Sequence, residues 1–155
     1  MKNLKAGALG ALLSLCCMML KAQDAKVPLN EPDLNKPKLF ADLPEKMNLR
    51  LTDMEKLFQP AMGERVSLQV SDQFLFEGTV VSRADAADAS SHSVVIRCTN
   101  RPGATMVFTR TTSIEGKTAY IGRIMSFHNG DAFVILAEDD HYVLQKKNLY
   151  DLISE

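Results

Sequence analysis

Apolar and polar residues alternate along most of the chain after residue 64, which is the pattern of β-strands that bury one face. In the first of these stretches, Val66, Leu68 and Val70 alternate with polar side chains. Comparable stretches follow at 74–80, 94–98, 105–109, 118–127, 132–137 and 141–145. The sequence therefore predicts about seven strands.

Short turn sequences separate the later strands. Pairs of turn-forming residues lie at hairpin spacing at Glu115-Gly116, Asn129-Gly130 and Asp139-Asp140. Asn-Gly readily adopts the positive φ angles of a type I′ turn, so a two-residue hairpin turn is expected at Asn129-Gly130. Consecutive hairpins form an antiparallel meander, and strands without intervening helices favour an open sheet or a closed barrel.

Two short helices are predicted beside these strands. Thr52 and Glu55 have the spacing of a capping box, and apolar residues then recur at helical spacing up to Pro60. At the other end of the chain, Leu149 and Leu152 fit a short C-terminal helix. The predicted fold class is mainly β: an antiparallel meander or small β-barrel of about seven strands with a short helix at each end.

The segment 23–50 differs from the rest of the chain. It contains Pro28, Pro32, Pro37 and Pro44 among polar residues, and its few apolar positions follow no period. Each proline removes a backbone donor and restricts the residue before it. We interpret 23–50 as a proline-rich arm or linker, whose end is attached through residues 39–43, and 51–155 as the β-rich domain.

The first 22 residues have the pattern of a signal peptide. Lys2 and Lys5 precede an uncharged run at 6–20, and Ala22 suits cleavage before Gln23. The alternatives are a retained N-terminal anchor, although membrane-spanning helices need about 20 apolar residues, and a lipid-modified Cys17. We therefore expect a secreted or periplasmic protein whose mature chain has no membrane span.

Composition changes this picture once the first 22 residues are set aside. They carry three lysines and no acid, so their removal takes the formal net charge from −1 to −4. Nucleic-acid binding normally needs a basic surface, and no nucleic-acid partner is predicted. Of the three cysteines only Cys98 remains. Its alternation with Val94 and Ile96 favours a buried thiol.

Several motifs resemble catalytic or ligand sites without matching them. Gly116-Lys117-Thr118 ends a P-loop-like stretch, but Thr111 replaces the first glycine and a strand follows where that motif requires a helix. There is no Gly-x-Ser-x-Gly motif for a nucleophilic serine. No catalytic residue and no cofactor is predicted.

Histidine and aspartate side chains near two of the predicted turns could bind a metal ion or could simply be polar turn residues. His128 and Asp131 flank one predicted turn, whereas Asp139, Asp140 and His141 form the next. Consecutive turns of a meander lie at opposite ends of its strands, about 20 Å apart for six residues. Zinc needs three or four converging ligands. We therefore interpret these side chains as polar turn residues and predict no metal site.

Surface recognition is the remaining class of function. Phe74, Phe76, Tyr120 and Phe127 lie near glycines in predicted strands, where a flat groove could form, with core packing as the alternative. A strand edge that accepts a partner's strand is a second route. We expect a non-enzymatic domain that binds a protein or cell-envelope component. The alternatives are a small secreted hydrolase and a stand-alone propeptide-like or inhibitor-like accessory domain. The oligomeric state is left open.

Overall fold

The computed structural model of the chain describes residues 35–72, 74–87, 90–139 and 141–153. Within these ranges there are eight strands and two short helices. They are β1 (Lys46–Leu49), α1 (Leu51–Lys56), β2 (Arg65–Ser71), β3 (Phe74–Asp85), β4 (Ser91–Cys98), β5 (Ala104–Thr112), β6 (Thr118–Ser126), β7 (Asp131–Glu138), β8 (His141–Asn148) and α2 (Leu149–Ile153).

All strands belong to one antiparallel sheet. Strands β2 to β8 pair in sequence order, and β1 pairs with β8, so the order is β1-β8-β7-β6-β5-β4-β3-β2. The sheet curves into a nearly closed, barrel-like form in which β1 approaches β2. The predicted fold class is thus confirmed, with eight strands where about seven were expected.

The additional strand, β1, comes from the segment assigned to the arm. Met47 and Leu49 point into the core, whereas Lys46 and Asn48 are exposed. Just before this strand, Phe40 is fully buried, with its ring centroid 6.0 Å from that of Phe76. The end of the proline-rich segment therefore contributes side chains to the barrel core.

The β6–β7 turn holds this segment on the barrel. The Asn129 side-chain amide donates to the Pro37 carbonyl at 2.7 Å, and the Asp131 carboxylate accepts from the Phe40 amide at 2.7 Å. The turn itself spans four residues, because the Gly130 amide bonds to the Ser126 carbonyl at 2.9 Å. The type I′ turn expected at Asn129-Gly130 is not formed, because only Gly130 of the two residues has a positive φ, of 66°.

Helix α1 begins two residues earlier than the predicted capping box places it, and the capping box is absent. Arg50 occupies the N-cap position without a side-chain cap bond, and Thr52 lies inside the helix. Instead of bonding back to the helix start, Glu55 reaches Arg110 and Tyr120 on neighbouring strands. This helix therefore covers part of the barrel and supplies a polar group to it.

Cys98 lies on β4 and is 4% exposed, as its alternation with apolar residues predicted. Burial raises the pKa of its thiol to about 12, so the thiolate that nucleophilic chemistry requires is not formed near neutral pH. In the part of the chain described above, no helix combines the length and the apolar character of a membrane-crossing helix.

Candidate functional site

The four aromatic residues predicted for surface recognition have different environments. Phe76 is fully buried and Tyr120 is 7% exposed, so both belong to the core. Phe74 is partly buried, packs edge-to-face on Phe76 and lies beneath the guanidinium of Arg101. Phe127 is 41% exposed in the β6–β7 turn. Core packing, the alternative interpretation, therefore describes Phe76 and Tyr120.

A more informative feature is the ladder between β6 and β7, which ends early. The two strands pair only over Arg123–Ser126 and Asp131–Val134, as far as the described residues show. Both strands nevertheless continue, because β6 stays paired with β5 back to Thr118 and β7 stays paired with β8 up to Glu138. The two facing segments without a ladder, 118–122 and 135–138, are referred to below as the β6–β7 opening.

The alternation of hydrogen bonds determines which backbone groups face this opening. The β5–β6 hairpin closes with a 2.8 Å bond from the Ser113 amide to the Lys117 carbonyl. Bonded residues alternate along an antiparallel pair, so Tyr120 and Gly122 direct their N–H and C=O groups away from β5 and towards the opening. Consistent with this, the Tyr120 amide donates to the Tyr142 hydroxyl at 3.4 Å.

Small and aliphatic side chains line the outside of the opening. Ile121 is 62% exposed and Leu136 is 39% exposed. Ala119, on the same face of β6 as Ile121, is exposed as well. The β6 segment 118–122 contains no charged residue and no proline, whereas the β7 segment of the opening ends at Glu138, which pairs with Lys46. Exposed strand edges are usually protected by charged residues or proline against pairing with other chains, so the β6 edge of the opening is chemically unprotected.

The second pair of open edges in the sheet is protected. Strands β1 and β2 end the strand order and are not hydrogen-bonded to each other. The groove between them, about 410 Å³ in volume, is lined by Pro44, Lys46 and Arg50 on the β1 side. Proline and positive charge both discourage strand addition. The contrast distinguishes the β6–β7 opening as the candidate site.

A polar cluster supports the inner side of the opening. Glu55 on α1 accepts hydrogen bonds from the Tyr120 hydroxyl and, at 2.9 Å, from Nη1 of Arg110. The Arg110 guanidinium also lies over the Phe58 ring, 5.5 Å from its centroid. The Tyr120 and Tyr142 rings pack edge-to-face at 5.4 Å. Groups from α1, β5, β6 and β8 thus hold the β6 edge in place where its ladder with β7 is missing.

Asp131 is the most unusual ionisable group near the turn. It is 3% exposed, and its Oδ1 has no hydrogen-bond partner among the described residues. Burial raises the pKa of this carboxyl, against the opposing effects of the Phe40 amide, Lys38 and Lys146. It borders an open cavity of about 450 Å³ that the two lysines also line. Since its Oδ2 holds the Phe40 amide, its evident role is structural.

The residues considered for a metal or a nucleotide lie on separate turns. His128 precedes β7 and His141 follows it, so the eight residues of β7 separate their turns by about 23 Å. Asp140 lies outside the described residues, within which no group of three or more His, Cys, Asp or Glu side chains is arranged to hold a metal ion. Gly116 has φ of 79° in the β5–β6 turn, as a hairpin requires.

Sequence reasoning missed the opening, although a signal for it is present. The run 132–137 is apolar at every position. A strand with a solvated outer face should instead alternate. Val134 and Leu136, which face outwards while Phe133 and Ile135 are buried, are the residues that break the rule. Such a run indicates a second apolar contact on the outer face.

Comparison of the chain with models of protein families, with curated proteins and with solved structures found no match in any of the three.

Proposed function

We propose that the protein is an exported, non-enzymatic domain that binds an extended segment of a partner protein as an added strand at the β6–β7 opening. The observation that carries the proposal is the early end of the β6–β7 ladder. It leaves the backbone of Tyr120 and Gly122 facing an opening flanked by exposed Ile121 and Leu136.

The geometry of the backbone groups that face the opening favours a polypeptide as the ligand. Tyr120 and Gly122 direct N–H and C=O groups towards the opening two residues apart, a spacing that another β-strand matches along its whole length. In strand addition, the main-chain bonds supply affinity, and pockets for alternate side chains supply specificity. Ile121 and Leu136 favour aliphatic residues at the outward positions of the partner.

The sequence pattern at 1–22 supports export, and it predicts a mature N-terminus at Gln23. A secreted or periplasmic location would give the opening access to extracellular or cell-envelope proteins. N-terminal sequencing of the protein recovered from a secreting host should find Gln23. Recovery of Met1, or of a lipid-modified Cys17, would contradict export by simple cleavage.

Binding is tested with an array of seven-residue peptides in which alternate positions vary among Val, Ile, Leu, Thr, Ser, Lys and Glu. We expect capture of peptides with aliphatic residues at alternate positions, and loss of capture when the same peptides are N-methylated at every residue. Chemical-shift mapping of the best peptide should locate changes at 118–122 and 135–138.

Two variants sharpen this test. Ile121→Lys places a charge on the unprotected edge, and it should weaken peptide binding at least about tenfold, or 1.4 kcal/mol. Because Ile121 is 62% exposed, stability should change by less than about 0.5 kcal/mol. Met62→Lys, at a 69% exposed loop position, is the matched control and should bind normally. The proposal fails if no peptide binds, or if N-methylation and Ile121→Lys leave binding unchanged.

The two other function classes relate differently to this site. A propeptide-like or inhibitor-like domain would use the same opening and differ only in having an enzyme as its partner. No cluster of catalytic side chains in the described part of the chain favours the small hydrolase.

A further inference from the structure

The Tyr142 hydroxyl occupies the place of a missing ladder acceptor. If the β6–β7 register continued, Tyr120 would lie opposite Ala137, whose carbonyl would accept the Tyr120 amide. Tyr142, which pairs with Ala137 from β8, instead extends its side chain so that its hydroxyl accepts that amide. A side chain thus substitutes for backbone at the centre of the opening.

The hydrogen bond from the Tyr120 amide to the Tyr142 hydroxyl is weak, and Tyr120 is the more firmly held of its two residues. Its length of 3.4 Å exceeds the usual range for N–H···O bonds, about 2.7–3.2 Å. Tyr120 is fixed by its hydroxyl bond to Glu55, which Arg110 also holds. For the Tyr142 hydroxyl, the Tyr120 amide is the one hydrogen-bond partner in the described part of the chain. Tyr142 is therefore the partner that can be displaced.

We propose that Tyr142 is a placeholder, whose hydroxyl gives up the Tyr120 amide to a backbone carbonyl of the incoming strand. This inference rests on the proposed strand binding and adds how the site is occupied before the partner arrives. The Tyr142 hydroxyl keeps the Tyr120 amide hydrogen-bonded in the free protein, so a partner has to replace this bond in order to bind. Segments that present a carbonyl opposite Tyr120 replace the bond, and segments that cannot do so bind less well.

The test compares the parent protein with Tyr142→Phe, which keeps the ring and removes the hydroxyl. The bond that the partner must displace is then absent, so the best peptide of the array should bind about two- to tenfold more tightly, the equivalent of one net hydrogen bond. In the free variant, hydrogen exchange at the Tyr120 amide should become faster. Tyr150→Phe removes a hydroxyl from α2 and is the matched control, with both quantities expected unchanged.

The outcomes separate this inference from the proposed function. Equal peptide affinity in the parent and in Tyr142→Phe overturns the placeholder while strand binding stands. Weaker binding by the variant also overturns it, because the hydroxyl would then contact the partner itself. Absence of peptide binding to both proteins refutes strand binding, and the placeholder with it. Tighter binding together with faster exchange at Tyr120 supports the inference.

Discussion

Replacement of Phe40 by alanine tests whether the end of the proline-rich segment belongs to the folding unit. Phe40 is fully buried, with ring centroids of Phe76 and Phe133 at 6.0 and 5.3 Å. Truncation of a buried phenylalanine to alanine destabilises a protein by about 3–5 kcal/mol. Total stabilities are roughly 0.05–0.15 kcal/mol per residue. We therefore expect Phe40→Ala to fold and to lose about 4 kcal/mol, a large share of its free energy of unfolding.

Urea unfolding followed by circular dichroism measures this loss. For m values of about 1–3 kcal/mol/M, 4 kcal/mol lowers the unfolding midpoint by roughly 1–4 M. Leu39→Ala is the matched control, because Leu39 is only partly buried beside the same core, and it should lose about 1 kcal/mol. A loss for Phe40→Ala no greater than that of the control would refute the reasoning. The segment before residue 51 would then not pack on the barrel in solution.

Two further predictions follow from the buried ionisable groups. Burial raises the pKa of Asp131, so its contribution to stability is complete in acid and is lost as the pH rises through the folded-state pKa. Asp131→Asn keeps an acceptor for the Phe40 amide and should gain stability relative to the parent as the pH rises from about 4 to 8; a constant or falling difference in urea unfolding would contradict this. With burial raising the pKa of Cys98 to about 12, its thiol should react slowly with a disulfide reagent at neutral pH in the native protein and rapidly in urea; fast native labelling would refute its burial.

The strands after residue 64 were predictable because their signal is local. Apolar residues at every second position along 65–70 or 118–127 indicate a strand with one buried face, and this pattern does not depend on which strand it pairs with. β1 was not predictable in this way. It has only four residues, follows Pro44 closely, and pairs with β8 about 100 residues later. Its burial depends on contacts that no local window contains.

The candidate site was harder to predict because glycine has more than one role in a strand. A Cβ at Gly78 would lie 2.5 Å from Cγ2 of Ile96, and one at Gly122 would lie 2.5 Å from Cδ1 of Phe108. These glycines therefore admit core side chains between strands, and Phe76 and Tyr120 beside them pack inwards. The sequence pattern alone cannot distinguish this close packing from a flat recognition groove.

The early end of the β6–β7 ladder has an energetic cost that itself argues for a use. A continued register would complete the pairing of Gly122 with Ile135 and pair Tyr120 with Ala137, adding about three backbone hydrogen bonds. At about 0.5–1.5 kcal/mol each, these bonds would stabilise the domain by roughly 2–5 kcal/mol. The single bond to Tyr142 replaces only part of this. Where function needs a flexible or strained site, stability and activity trade off against each other. Under the proposed function, a partner strand completes the sheet at the β6–β7 opening, whose β6 edge is unprotected, whereas Pro44, Lys46 and Arg50 protect the β1 edge.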